Sequence, residues 1–126
     1  MSILRSNKHT SINVPVYIDG VFELFKLITN DKIRKEPYLK TTGIKMQYRE
    51  TQIGSLYRLE VAVRDVELTM RIEIPQSREI DNLSVLKIGD SFHKVYEVKH
   101  FTNKDGFKVT DLTLQGSKIT KVEDEI

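Results

Sequence analysis

The side chains that could do chemistry are few and scattered. The three histidines are His9, His93 and His100. His93 and His100 lie in what reads as one strand. Their odd spacing sets them on opposite faces of a two-residue repeat, so they cannot converge on one metal ion. The chain has no cysteine, which excludes disulfides and thiolate metal sites. No HExxH, CxxC, GxSxG, GxGxxG or phosphate-loop pattern occurs.

Among the carboxylates, Glu67 and Glu73 share the polar side of one alternating stretch with Thr69 and Arg71. An acid–base pair needs a pocket that raises one pKa, whereas this alternation predicts a solvated sheet face. Glu60, Arg64 and Asp65 carry no more signal. The one basic cluster is Lys32-Ile33-Arg34-Lys35 with Lys40, and Tyr38 lies within it. Such a loop suits phosphate or subunit contact, although Asp31 and Glu36 dilute its charge. Lys32, Arg34, Lys35, Tyr38 and Lys40 are therefore the candidate assembly residues. No catalytic, cofactor-binding or metal-binding residue is nominated, and no enzymatic activity is expected.

The elements that would hold these residues are clearest in residues 95–114, VYEVKHFTNKDGFKVTDLTL. Asn103 suits the first position of a type I turn, and Gly106 the left-handed residue that closes it with a bulge. That geometry pairs Asn103 with Phe107 and sets the register outward. Val98 then faces Leu112 and Tyr96 faces Leu114 on an apolar side. Lys99 faces Asp111 and Phe101 faces Val109 on the other side, and His100 lies opposite Thr110. Cross-strand pairs of this kind contribute roughly 0.2–1 kcal/mol each.

Elsewhere the reading is less even. Residues 1–11 are polar and aperiodic and read as a mobile arm. Ile12, Val14, Val16 and Ile18 alternate as a strand, which Pro15 demotes to a sheet edge. Asp19-Gly20 signals a hairpin turn into a second strand, Val21–Ile28. A helix capped by Asp19 also fits Val21, Leu24, Phe25 and Ile28, but the strand is favoured. Residues 29–42 form a polar loop, followed by a strand over Gly43–Glu50. Val66–Ile74 is a strand with one wet face, ended by Pro75. Residues 56–63 fit a strand or a short helix capped by Ser55, with Leu59, Ala62, Val63 and Val66 on one face. Periodicity leaves that choice open. Arg64-Asp65 is a poor hairpin turn, since neither residue readily takes positive φ. Residues 76–84 form a polar connection, Val85–Ile88 a short strand and Gly89-Asp90 a turn. The segment 117–126 shows no partner face.

The expected fold is mainly β. It is a small antiparallel β-barrel or sandwich with one short helix and long flexible loops, in a single domain with its β core at 12–116. The chain of 126 residues can bury a core without staples. Its net charge of +2 argues against a dedicated nucleic-acid binder. No run reaches the roughly 18 apolar residues of a membrane span. The N-terminus lacks the long apolar run of a signal peptide, so a cytoplasmic location is expected. Exposed strand edges, a polar arm and a mid-chain loop are what an assembly component would offer.

The run SLYRLEVAVRDVELTMRIEIPQ, a polar connection, and then VLKIGDSFHKVYEVKHFTNKDGFKVTDLTLQ resemble the head–tail joining or head-closure family of tailed bacteriophages, also called adaptors or connectors. DGVFELFKLI is similar to the start of such proteins from phages of low-GC Gram-positive bacteria. The resemblance spans about Val14 to Gln115 and rests on turn and strand patterns. It implies that Leu56–Val63 is a helix. It also implies a homo-oligomeric ring beneath the portal that extends or closes the DNA channel. The implied partners are a portal or adaptor protein, a tail-completion protein and, transiently, packaged DNA. The implied place is the host cytoplasm during assembly, then the virion neck. Docking would order residues 1–11, 29–42, 76–84 or 117–126. The resemblance carries over no catalytic residue, cofactor or metal ligand. The alternative reading is a small β-barrel that binds single-stranded nucleic acid, with Tyr48, Tyr57 and Phe101 as stacking residues.

Overall fold

The Asn103–Gly106 turn forms as its residue types dictate. The Gly106 amide donates to the Asn103 carbonyl (3.0 Å) and the Asn103 amide to the Phe107 carbonyl (2.8 Å). Gly106 takes φ 88°, and the Asn103 side chain accepts from the amides of Asp105 and Phe107. The computed structural model describes residues 14–34 and 36–123. Outward from the turn, Phe101–Val109, His100–Thr110, Lys99–Asp111 and Val98–Leu112 are paired as expected. One expected pair is not formed. Leu114 faces Val95, because the ladder shifts register between Val95 and Glu97 and leaves Tyr96 as the extra residue of a bulge. Val95 is thereby buried in the core.

The strands of this hairpin are β5 (Ser91–Thr102) and β6 (Lys108–Gly116). They join β1 (Gly20–Ile28), β2 (Tyr38–Thr51), β3 (Leu68–Pro75) and β4 (Ser84–Ile88) in a closed antiparallel barrel, ordered β1-β2-β3-β6-β5-β4. The fold is mainly β and is a barrel, since β1 pairs with both β2 and β4. The favoured strand over 21–28 is therefore the correct alternative. Residues 14–18 form no strand, and Asp19-Gly20 turns no hairpin. Instead the Asp19 amide donates to the Tyr48 carbonyl (3.0 Å), and its carboxylate accepts from the Glu50 amide (2.8 Å), so Asp19 launches β1 alongside β2.

The expected loop over 29–42 is too long, because β2 already begins at Tyr38. It continues through Gly43, which takes φ 76°. There the ladder shifts between Glu23 and Phe25, and Thr42 Oγ1 donates to the Leu24 carbonyl (2.7 Å). The β2–β3 seam holds three pairs, Arg49–Glu73 to Thr51–Arg71. It stops short of Pro75, which has no amide to continue it. The helix α1 spans Ser55–Ala62, which resolves the open choice over 56–63. Ser55 makes no capping bond; Gly54 is the N-cap. Contrary to the expectation that neither Arg64 nor Asp65 takes positive φ readily, Asp65 does so at φ 60° and stops the chain after the helix, because a short polar side chain that bonds locally tolerates the left-handed region.

The barrel interior holds Phe22, Leu24, Tyr48, Ile72, Ile74, Leu86, Val95, Leu112 and Leu114. Ile80, from the connection that reads as polar, is buried among them. A second cluster lies on the other face of β1 and β4. Phe25, Leu39 and Val85 pack there with Leu27, Phe92, Ile119 and Val122. The chain after β6 therefore does have a partner face. It crosses the outside of the barrel, and the Leu39 amide donates to the Lys121 carbonyl (2.8 Å).

Candidate functional site

The expected assembly residues do not form one basic surface. Asp31 organises their loop. Its carboxylate accepts from the amides of Ile33 (2.8 Å) and Arg34 (3.3 Å) and from the Tyr38 hydroxyl (2.7 Å). The Tyr38 bond, then these amides, hold Asp31 below the usual carboxylate range. Tyr38 is buried. Arg34 stacks over its ring at 5.2 Å and donates to the Glu123 carbonyl (3.4 Å), so both residues fasten the loop to the C-terminal segment. Lys40 lies on β2 opposite Lys26, and Lys32 is exposed. Lys35 lies outside the described residues.

The densest charge constellation is elsewhere. Arg49, Glu73, Asp111 and Lys99 form one cross-strand row over β2, β3, β6 and β5. Ladder parity sets it on the outer face, since Asp111 lies between inward-facing Thr110 and Leu112. Glu73, expected on a wet face, is 6% exposed. Arg49 donates to its Oε1 (2.7 Å), and the Tyr17 hydroxyl to its Oε2 (3.4 Å). Burial, then the charge of Glu73, raises the Tyr17 pKa. Burial, with the neighbouring Glu73 charge, also raises the Asp111 pKa. Asp111 Oδ1 is buried without a hydrogen-bond partner among the described residues. The row is a structural clamp: it ties the chain before β1 to the β2–β3 seam through Tyr17. Only its Lys99–Asp111 step was visible in sequence. The other steps need the pairing of strands far apart in the chain.

The Tyr96 bulge also corrects the placement of the histidines. It reverses strand parity, so His93 and His100 share the side that carries Val95 and Val98. They remain roughly 20 Å apart along the strand. His93 Nδ1 pairs with Thr69 Oγ1 (2.9 Å) and His100 Nδ1 with Thr110 Oγ1 (2.7 Å). Burial lowers the His93 pKa. Among the described residues, no group of three His, Cys, Asp or Glu side chains could hold a metal ion.

The helix α1 packs against β3 and reaches across to β5. The Tyr57 hydroxyl donates to Glu97 (3.0 Å) and the Tyr57 ring covers Arg71 (5.3 Å). Arg58 donates to the Leu68 carbonyl (2.8 Å), and Arg64 to the Tyr96 hydroxyl (3.1 Å). These bonds bury Val61 and turn the other apolar residues outward. Leu59 and Val63, expected on a buried face, are 66% and 87% exposed, and Leu56 is exposed beside them. Next to this stripe is an open groove of about 830 Å³, lined by Ile53, Leu59, Ala62, Val66 and Leu68, with Asp65 and Glu67 at its polar rim. A second apolar surface is the row Val14, Val16 and Ile18, all exposed. The alternation of that row was legible in sequence. The exposure of the helix stripe was not.

No helix among the described residues is long and apolar enough to cross a membrane. No protein-family model matches the chain, and no curated protein matches it either.

Proposed function

We propose that this protein is an assembly subunit of the phage head–tail joining type, forming a ring beneath the portal that extends or closes the DNA channel. The observation that carries an assembly role is the pair of apolar surfaces left in solvent on an otherwise closed barrel. These are the Leu56–Leu59–Val63 stripe with its groove, and the Val14–Val16–Ile18 row. A monomeric protein rarely leaves contiguous apolar patches open unless a partner covers them. The assignment to head and tail comes from the sequence resemblance. The remaining charge arrangement suits a scaffold, because Arg49, Glu73 and Tyr17 engage one another.

The test is electron microscopy of a lysate from which the gene has been deleted. Separate heads and finished tails, with heads that have lost DNA, are expected. Intact virions would sink the joining role. A second reading, single-strand nucleic-acid binding, has one observation in its favour. Lys26 and Lys40 oppose each other, and Lys87 sits 5.6 Å over the Phe92 ring. Glu23 opposes both Lys45 and Lys87, and Asp81 holds Lys26 at 3.1 Å, so that surface is of mixed sign. Salt-dependent binding to single-stranded DNA would favour it over assembly.

A further inference from the structure

We infer that the groove between α1 and β3 receives the N-terminal segment of a neighbouring copy, with Val14, Val16 and Ile18 as the inserted apolar row. The inference rests on the ring reading above and assigns the two surfaces that would meet. Both surfaces are apolar and unlike in shape: one is a ridge whose exposure alternates residue by residue over 14–18, the other a groove of about 830 Å³. Their charges are complementary. The groove is lined by two carboxylates, Asp65 and Glu67, both exposed, against one cation, Arg58, which donates to the Leu68 carbonyl, so its balance is acidic by one charge. Residues 1–13, which lead into the ridge, carry Arg5 and Lys8 and no carboxylate.

The ridge of one copy does not fill that copy's own groove. Asp19 is fixed beside Tyr48 and Glu50, and Tyr17 is fixed on Glu73, which draws residues 14–18 toward the Pro75 end of β3. The groove lies at the Leu68 end, roughly 17 Å away along the strand. Both surfaces stay exposed in this arrangement. A like-with-like contact through α1 alone is too small. An eight-residue helix is about 12 Å long, against the roughly 1,200 Å² or more that a stable interface buries. A segment of eighteen residues can lie along far more surface. Joining a ridge to an unlike groove is a heterologous contact, which closes into a ring or continues as a chain.

The test uses the full chain and two variants, V16D/I18D in the ridge and L59D/V63D in the groove wall and the stripe beside it. All four positions are exposed, so both variants should keep the wild-type urea midpoint. Sedimentation velocity of the wild type should show oligomers that grow with concentration. Each variant alone should be monomeric, with self-association weakened at least tenfold. An equimolar mixture should give a one-to-one dimer and nothing larger, because it contains one intact ridge and one intact groove that can meet. A mixture that stays monomeric would overturn the inference, and a variant that still self-associates alone would overturn it in favour of a like-with-like contact. A wild type that is monomeric at its highest soluble concentration would also overturn it. If the deletion lysate still showed unjoined heads and tails, the joining role would stand without this contact.

Discussion

Glu73 and Asp111 oppose each other directly across the β3–β6 ladder, with Arg49 beyond one and Lys99 beyond the other. Two carboxylates placed side by side on a sheet repel each other. The repulsion is distributed unequally here. Glu73 has the 2.7 Å bond from Arg49, while Asp111 Oδ1 is buried without a partner among the described residues.

The Arg49–Glu73 pair should therefore behave as a coupled unit. R49M leaves a buried carboxylate without its cation and should destabilise the fold by about 2 kcal/mol, reduced from the fully buried case because Arg49 is half exposed. E73Q removes the charge but keeps the shape and should cost less. The double variant should cost less than the sum of the two, a non-additivity that a urea double-mutant cycle would read directly.

Asp111 gives a pH dependence of defined sign. Its folded pKa lies above the ordinary value of 3.8. Between those two values the folded state binds more protons than the unfolded state, so this residue's contribution to stability falls as pH rises through its folded pKa. D111N should stabilise the protein at pH 7 by less than about 1 kcal/mol, after allowance for solvent screening. The gain should shrink toward zero as pH drops below the ordinary Asp value. Urea midpoints of both proteins at pH 7 and below pH 4 would check it. A gain that persists in acid would mean that the relief is not electrostatic.

Ile80 is a core residue in a segment that looks like a surface connection. I80A should cost about 2–5 kcal/mol, the range for truncating a buried Ile. Truncating exposed Leu83 nearby should cost little. Equal losses from the two in urea titrations would show that Ile80 does not plug the barrel.

Gly20 is fixed by a close approach. A Cβ there would lie 2.5 Å from the Tyr48 hydroxyl and 2.7 Å from Cζ of its ring. Tyr48 is buried in the core and cannot move freely. G20A should therefore destabilise by roughly 1–3 kcal/mol. In a Y48L background the same change should cost markedly less, which thermal melts of the four proteins would show.

The amino-acid sequence by itself determined what depends on neighbours in the chain. Asn103 and Gly106 dictate a bulged turn, and that turn sets the register of β5 and β6 from Thr102–Lys108 to Glu97–Thr113. The alternation after Val66 dictates β3, and Gly89-Asp90 the turn between β4 and β5. Only the tertiary structure decided the rest, because it depends on which distant segment lies against a residue. The Tyr96 bulge exists where Arg64 meets the displaced tyrosine, and it moves His93 to the other face of its strand. Glu73 is buried because Arg49 and Tyr17 reach it, from positions 24 and 56 residues away. Phe25 and Val85 look outward, yet become a second core because the chain after β6 returns across them. Leu59 and Val63 remain in solvent for the complementary reason: Tyr57, Arg58 and Arg64 fix which side of α1 meets the sheet, and hydrophobic periodicity alone cannot tell a helix face that has found its cover from one that has not.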